Sequence, residues 1–291
     1  MKQTASGMPR RQLGRYLQRL RDEGNLSLNT VSDALDCTRQ KIWRIEQGLG
    51  TVRPLDVQTL CDLYNAPPPL TAMLIDLARQ GTAKGWWQAY DDIMPEWFEP
   101  YVVMESEAAR IRFYDGELVH GLLQTPAYTA EVIRVGRPEL TDEKRERRLR
   151  LRQRRQRLLR RRGVTAPSLE FVLSEAVLRR PLADHAAMVE QFRHLLRLSE
   201  QENISLRVLP LWAGPHAASV AGTFAVLDFP EPRLHEREPS VVYQEGPTGA
   251  LYLDRPQELE RYEAIWSGIA AVTLDEKESR QLIASFAGEA R

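Results

Sequence analysis

Four side chains with several hydrogen-bond donors or acceptors lie within six residues near the amino terminus: Arg39, Gln40, Lys41 and Arg44. An arginine can donate two hydrogen bonds to O6 and N7 of guanine, and a glutamine can pair with the edge of adenine. Each good contact of this kind discriminates between bases by roughly 1–3 kcal/mol. Neighbouring basic side chains normally hold phosphates. We therefore expect Arg39, Gln40 and Arg44 to contact bases and Lys41 to contact a phosphate.

Thr38 and Trp43 complete the candidate DNA-contacting set. The hydroxyl of Thr38 can accept a hydrogen bond from an unpaired backbone N–H, which is typical of the residue that caps the start of a helix. Trp43 has two interpretations. It is either a wedge against the sugar–phosphate backbone or part of a packed surface.

Two short helices joined by a tight turn would position these side chains. Val31, Ala34 and Leu35 recur at the spacing of one narrow apolar helix face. Asp36 and Cys37 come next, where the chain must turn before the second helix. The pattern predicts a helix-turn-helix.

The second helix of the pair has an apolar side formed by Ile42 and Ile45, and Gly48 ends it. Its polar side chains then face outward, and residues near the start of such a helix normally face the bases in the major groove. An ordinary surface helix with solvated charges is the alternative interpretation.

Residues 10–65 resemble the Xre (Cro/repressor-like) helix-turn-helix domain, which has five helices. The most specific stretch is Ile42-Trp-Arg-Ile-Glu-Gln-Gly48, which matches the family ending Ile-x-x-Ile/Leu-Glu-x-Gly. The resemblance implies that Arg39, Gln40 and Arg44 occupy the usual base-contacting positions.

This chain departs from that family at two positions. Asp36 stands where glycine is common, although aspartate tolerates a left-handed turn better than most residues. Leu28 stands where a polar residue is common and removes one usual DNA contact. The resemblance therefore implies that binding depends more strongly on Arg39 and Arg44.

The charge is balanced over the whole chain but uneven along it. The 291 residues contain 40 Lys and Arg and 40 Asp and Glu, so no global field attracts nucleic acid. Residues 10–53 contain nine basic and five acidic residues, a net charge of +4. A modestly basic module on a neutral body favours specific over indiscriminate binding.

Cysteine usage and hydropathy indicate a soluble cytoplasmic protein with no membrane partner, and the expected DNA binding would make it nucleoid-associated. Cys37 and Cys61 form no CxxC motif or Cys/His cluster and are typical of small core residues in a reducing compartment. No run of about 18 apolar residues occurs, and the polar amino terminus does not resemble a signal peptide.

The length allows two domains with separate cores. We expect residues 1–83 to form an all-α five-helix domain and residues 84–291 an α+β domain with a small, mainly antiparallel sheet. A hinge is predicted at 81–85. The second domain is predicted to contain helices over 101–114, 126–136, 141–162, 183–202, 256–272 and 275–288, and strands over 117–121, 169–174, 204–209, 223–229, 241–245 and 250–253.

Residues 85–288 resemble the domain of unknown function found in Xre-type proteins of Streptomyces and its relatives, the WhiJ-like, antitoxin-like regulators. His120 departs from that family, which usually has proline there. The matching stretches are Gly85-Trp-Trp87, Glu105-Ser-Glu-Ala108, Gly121-Leu-Leu-Gln-Thr-Pro126, Leu173-Ser-Glu-Ala-Val-Leu-Arg-Arg-Pro181, Val208-Leu-Pro210, Ala213-Gly-Pro-His216 and Gly222-Thr-Phe224.

The resemblance implies regulation of transcription in development or secondary metabolism. It also implies a small protein, encoded by a neighbouring gene, that binds the second domain and modulates DNA binding.

Residues 144–162 contain 12 basic residues and one acid, Glu146. One interpretation is a second contact with the DNA backbone or a surface for an acidic partner. The other is an internal helix whose charges pair with acids such as Glu139, Asp142 and Glu143 or with the acid-rich C-terminal part.

Two loops have polar residues whose roles are open. Gln124 and Thr125 could line a ligand site, or Thr125 could cap the helix that begins at Pro126. His216 follows a predicted strand, where it could sense pH or touch a ligand, or it could be a loop histidine without a role.

We do not expect an enzyme, a cofactor or a metal site. Four glutamates are candidates for acid–base chemistry, namely Glu105, Glu107, Glu170 and Glu175. No paired carboxylate spacing, metal-ligand set, nucleophile motif or phosphate loop supports catalysis, and the five histidines are dispersed.

Two functional hypotheses remain. In the first, the protein is a regulator that binds double-stranded operator DNA, as a homodimer, and its second domain senses a small molecule or a protein. In the second, it is an antitoxin-like interaction module that sequesters a small partner protein, with DNA binding secondary.

Overall fold

The computed structural model describes residues 8–81, 86–95, 97–162, 166–182, 184–230 and 238–288. It separates into two compact units. The first contains the described residues up to 89 together with 97–107, and the second contains 90–95 and the described residues from 108 onward. The hinge expected at 81–85 lies outside the described residues except for Gly81, and the domain boundary expected between residues 83 and 84 lies outside them entirely.

The amino-terminal region is helical and contains the five helices expected from the sequence. The predicted helix-turn-helix corresponds to the second and third of them. In chain order the helices are α1 (Met8–Glu23), α2 (Leu28–Ala34), α3 (Arg39–Glu46), α4 (Pro54–Leu63) and α5 (Pro68–Gly81).

A single apolar core holds these five helices together. Val31 is fully buried, as expected, but Ala34 is exposed and Leu35 is half-buried, so the predicted apolar face of α2 is narrower than the spacing indicated. The largest buried members of the core are Leu13, Leu17, Ile42, Leu60 and Leu74.

A further helix, α6 (Glu99–Glu107), belongs to the first unit. Arg10 approaches the Glu99 carboxylate at 3.6 Å. Trp87 Nε1 donates to the same carboxylate at 3.2 Å, and Arg11 donates to Met104 Sδ at 3.7 Å.

The predicted helix over 101–114 is wrong in its second half. The helix ends at Glu107, and Arg110–Asp115 form strand β1. Residues 111–115 of this strand are all buried, and they include the charged residues Arg112 and Asp115, so hydropathy does not mark the strand. The buried guanidinium of Arg112 pairs with the carboxylates of Asp228 and Glu263.

The second unit is built on a six-stranded mixed sheet in the order β3-β2-β1-β4-β5-β6. Its pairs β1–β4, β4–β5 and β5–β6 are antiparallel, which confirms the expected preference. The pairs β1–β2 and β2–β3 are parallel, which the sequence did not predict. The remaining strands are β2 (Ser168–Ser174), β3 (Ile204–Leu209), β4 (Phe224–Asp228), β5 (Val241–Gly246) and β6 (Gly249–Leu253).

Seven helices of the second unit are described. Two of them, the short α9 and α11, were not predicted. In chain order they are α7 (Pro126–Gly136), α8 (Asp142–Arg155), α9 (Glu175–Arg179), α10 (His185–Leu198), α11 (Ala217–Ala221), α12 (Pro256–Ala270) and α13 (Glu276–Phe286).

Two further predicted elements need correction. The strand expected over 117–121 is absent, and the described chain has a turn there followed by a 3-10 helix over Gly121–Leu123. Buried Val119 donates its N–H to the Tyr128 hydroxyl at 3.2 Å, which satisfies that backbone group without a sheet. The long helix expected over 141–162 is α8 followed by a 3-10 helix over Gln156–Arg160.

Candidate nucleic-acid interface

The turn between α2 and α3 has the geometry that its residue types predict. Asp36 adopts a positive φ of 47°, in the left-handed region where glycine is common and aspartate is tolerated. The Cys37 N–H donates to the Ser32 carbonyl at 3.0 Å, which closes the turn. The Ser27 hydroxyl caps the start of α2 by accepting from the Thr30 N–H at 3.1 Å.

Thr38 caps α3 as predicted. Its hydroxyl accepts a hydrogen bond from the Lys41 N–H at 3.2 Å. Ile42 and Ile45 are almost fully buried, at 1% and 3% exposure, so they fix which side of α3 faces the core. Gly48 follows at a φ of 66° and ends the helix.

The outer side of α3 carries the predicted DNA-contacting residues. Arg39, Gln40 and Lys41 are exposed, and Arg44 is half-buried. Trp43 is 46% exposed and lies on this outer surface. Thr38 is exposed as well, so all members of the set except Arg44 are exposed, and their contact with DNA stays a prediction.

A cation that the sequence reasoning missed lies beside this surface. Arg53, immediately before α4, has an exposed side chain and pairs with Asp56 at 2.6 Å. Lys41 reaches the same carboxylate at 4.0 Å. Hydrogen bonding from Arg53 lowers the pKa of Asp56 despite its burial. The available signal was Arg53 three residues before Asp56 at the start of a helix.

A buried ion pair holds the carboxyl-terminal end of α3. Glu46 is 3% exposed and accepts two hydrogen bonds from the Arg21 guanidinium, at 2.7 and 2.9 Å. Arg21 also donates to the Leu26 carbonyl at 3.0 Å. The hydrogen bond to Glu46 raises the pKa of Arg21 further, so the guanidinium stays charged.

Close approach of α1 to α3 depends on Gly14. A Cβ atom added at this position would clash with the carbonyl oxygens of Ile45 and Glu46. The carboxyl-terminal end of α3 therefore lies directly against the backbone of α1.

The basic segment 144–162 is partly neutralised by acids of the second unit. Arg145 pairs with Asp142 at 3.0 Å, as one interpretation expected. Arg150 pairs with Glu146 at 3.0 Å, and Arg147 pairs with Asp92 at 2.5 Å. Asp92 was not among the anticipated partners.

Thr125 caps α7, as one of its two interpretations predicted. Its hydroxyl accepts from the Tyr128 N–H at 3.2 Å. Gln124 is buried and donates to the Val119 carbonyl at 2.7 Å, so its amide is used inside the fold. At the departing position His120, Nδ1 accepts from the Leu122 N–H at 3.3 Å and the ring packs on Phe113.

The other candidate polar residues are dispersed. His216 precedes α11 and packs edge-on against Tyr114 at 5.7 Å, and burial lowers the pKa of its imidazole. Glu170 pairs with Arg110 at 2.7 Å, while Glu175 accepts from the Leu211 N–H at 2.9 Å. In the described part of the chain, no three His, Cys, Asp or Glu side chains come together as a metal site.

Among the described helices, none is long and apolar enough to cross a membrane.

Two parts of the chain match known protein families. A Helix-turn-helix domain matches residues 12–74, which include α2, the turn and α3. This domain indicates a DNA-binding regulator. A second match, Domain of unknown function (DUF5753), covers residues 98–285, and the chain belongs to that family. No curated protein and no solved structure matches the chain.

Proposed function

We propose that this protein is a transcriptional regulator of the Xre (Cro/repressor-like) type, related to the WhiJ-like, antitoxin-like regulators of Streptomyces. It binds operator DNA by inserting α3 into the major groove. The observation that carries the proposal is that Arg39 and Gln40 are exposed, with half-buried Arg44 beside them, on a helix whose other side is fixed by buried Ile42 and Ile45.

We propose that a homodimer is the binding form. Proteins of this class place two recognition helices about 34 Å apart, in successive major grooves on one side of the duplex. A single α3 of eight residues can read few base pairs, so specific binding benefits from a second copy.

In this proposal the second domain is a non-catalytic regulatory domain that binds a small molecule or a partner protein. A specific observation favours a protein partner. Leu211, Trp212 and Val220 are 53%, 76% and 90% exposed, and they lie on connections that follow β3 and precede β4. Contiguous exposed apolar patches commonly mark protein contacts, and these three side chains lie within ten residues of one another along the chain. The same surface supports the antitoxin-like alternative, in which sequestering a small partner is the main activity.

Selection of bound duplexes from a random-sequence pool, using the full chain, tests the DNA-binding proposal. We expect a pseudo-palindromic sequence to be enriched. Arg44→Ala should then relax the preference at one base position, by roughly 1–3 kcal/mol. Lys41→Ala should weaken all sequences alike and reduce the salt dependence by about one unit of slope.

Equal losses on selected and random duplexes for both variants would contradict the base assignment. A pool with no enriched sequence would contradict the regulator proposal itself. In that case, a small protein that co-purifies in a stable stoichiometric complex would support the antitoxin-like alternative.

A further inference from the structure

Two arginines at the end of the basic segment and one on α10 have no carboxylate partner among the described residues. Arg157 and Arg160 lie on the 3-10 helix that follows α8, and Arg197 lies on α10; all three are exposed. A 3-10 helix has three residues per turn, so Arg157 and Arg160 project from one side of it. We name these three residues the arginine cluster.

Hydrogen bonds from half-buried Gln156 and buried Gln191 connect the supporting elements to the same segment. Gln156, on the 3-10 helix, donates to two carbonyl groups of segment 121–125, at 3.2 and 2.7 Å. Gln191, on α10, donates to a third carbonyl of that segment at 2.7 Å. The 3-10 helix and α10 therefore flank one short piece of backbone, which makes their outer surfaces neighbours.

Arginines of both elements influence the pKa of His194, which lies on α10. Burial lowers the pKa of its imidazole most, and both Arg197 and Arg160 lower it further. Glu190 opposes them with a smaller effect than Arg197. Arg160 and Arg197 therefore both lie near the same imidazole, although they belong to different elements.

The cluster differs from the earlier part of the same basic segment. There, Arg145, Arg147 and Arg150 each pair with a carboxylate of the second unit. Three like charges without such partners repel one another, and a bound anion relieves this repulsion.

We propose that the arginine cluster binds the phosphate backbone of a DNA duplex, as a contact additional to that of α3. The planar guanidinium matches phosphate geometry with two parallel hydrogen bonds. This inference rests on the proposed function, because the helix-turn-helix brings duplex phosphates to the chain at high effective concentration. That argument favours DNA over an acidic protein as the occupant.

The test is the salt dependence of binding by the full chain. Fluorescence anisotropy with a labelled duplex of arbitrary sequence, spanning several helical turns, gives the affinity over a range of NaCl concentrations. The triple variant R157Q/R160Q/R197Q should lower the slope of log affinity against log salt by about 2 to 3. At the lowest salt its affinity should fall roughly tenfold or more.

Arg150→Gln is the matched control, because Arg150 is an exposed arginine of the same segment that already pairs with Glu146 at 3.0 Å. It should leave the slope unchanged. Each single variant of the cluster should lower the slope by about one, which covers the case in which the triple variant does not fold.

An unchanged slope in folded variants of the cluster overturns the proposal. Binding of the same variants to polyglutamate, an acidic polymer, is measured in parallel. The proposal is also overturned if the variants bind DNA normally but lose binding to polyglutamate, because the surface would then fit an acidic protein. The variant R39A/R44A, measured on the selected duplex, separates this failure from that of the proposed function. If R39A/R44A binds normally, the role of α3 is wrong, whatever the cluster does.

Discussion

Removing Glu46 should destabilise the helix-turn-helix, because this carboxylate is the buried partner of Arg21 at the end of α3. Breaking a buried ion pair by deleting one partner costs roughly 3–5 kcal/mol, since the other charge stays in the interior. Arg21 would keep its hydrogen bond to the Leu26 carbonyl at 3.0 Å and its pair with Asp22 at 2.8 Å. We therefore expect Glu46→Ala to cost about 3 kcal/mol, at the lower end of that range.

Urea unfolding of the full chain, followed by far-ultraviolet circular dichroism, measures this cost in the transition of the first unit. Arg21→Met should cost a similar amount, because it leaves Glu46 buried and unpaired. The double variant R21M/E46A should cost less than the sum of the two single variants, because neither charge is then left unpaired. Glu23→Gln is the control, since Glu23 forms an exposed pair with Arg19 at 3.7 Å. It should change stability by less than about 1 kcal/mol.

Strictly additive costs in this cycle would refute the reasoning, because they would mean that the two charges do not stabilise one another. A cost below about 1 kcal/mol for Glu46→Ala would refute it as well, since that is the cost of an exposed pair.

Two further predictions concern the packing of α1 and the buried end of β1. Gly14→Ala should destabilise the first unit in the same urea assay, since its Cβ would clash with backbone carbonyls. Gly268→Ala on α12 is the matched control, because a Cβ at this position meets no atom within 4 Å. It should stabilise the chain by up to about 1 kcal/mol. Burial raises the pKa of Asp115 well above its ordinary value of 3.8, so the folded state keeps a proton that the unfolded state loses. Asp115 should therefore contribute a fall in stability above pH 3.8 of as much as about 1.4 kcal/mol per pH unit. Asp115→Asn should remove this slope, and equal slopes in chemical denaturation of the two proteins would contradict the assignment.

The helix-turn-helix could be predicted from the sequence because its signals are local. Thr38 as a cap, Asp36 in a left-handed turn and the pair Ile42 and Ile45 all act within a few residues of one another. The pair of Glu46 with Arg21 joins residues 25 positions apart, so no local pattern indicates it. The sequence therefore predicted which side of α3 faces the core, but not the ion pair that holds the end of this helix.

The sheet was harder to predict because its central strand is buried on both faces. In β1 the buried side chains include Arg112 and Asp115, so the apolar residues do not show which side chains are buried, and their period does not separate a strand from a helix. The parallel pairing of β1 with β2 depends on a connection of more than 50 residues that contains α7 and α8. Such pairing has no turn signature, unlike the antiparallel pair β5–β6, where two residues connect the strands.

The family boundary and the boundary of the compact unit do not coincide. The DUF5753 match begins at residue 98, but α6 belongs by its contacts to the first unit. Two arginines of α1 make those contacts: Arg10 approaches Glu99 at 3.6 Å and Arg11 donates to Met104 at 3.7 Å. The same helix α1 lies against the end of α3 through Gly14. A protein fragment that ends at residue 74, with the helix-turn-helix match, would therefore lack α6, which contacts α1 through these side chains.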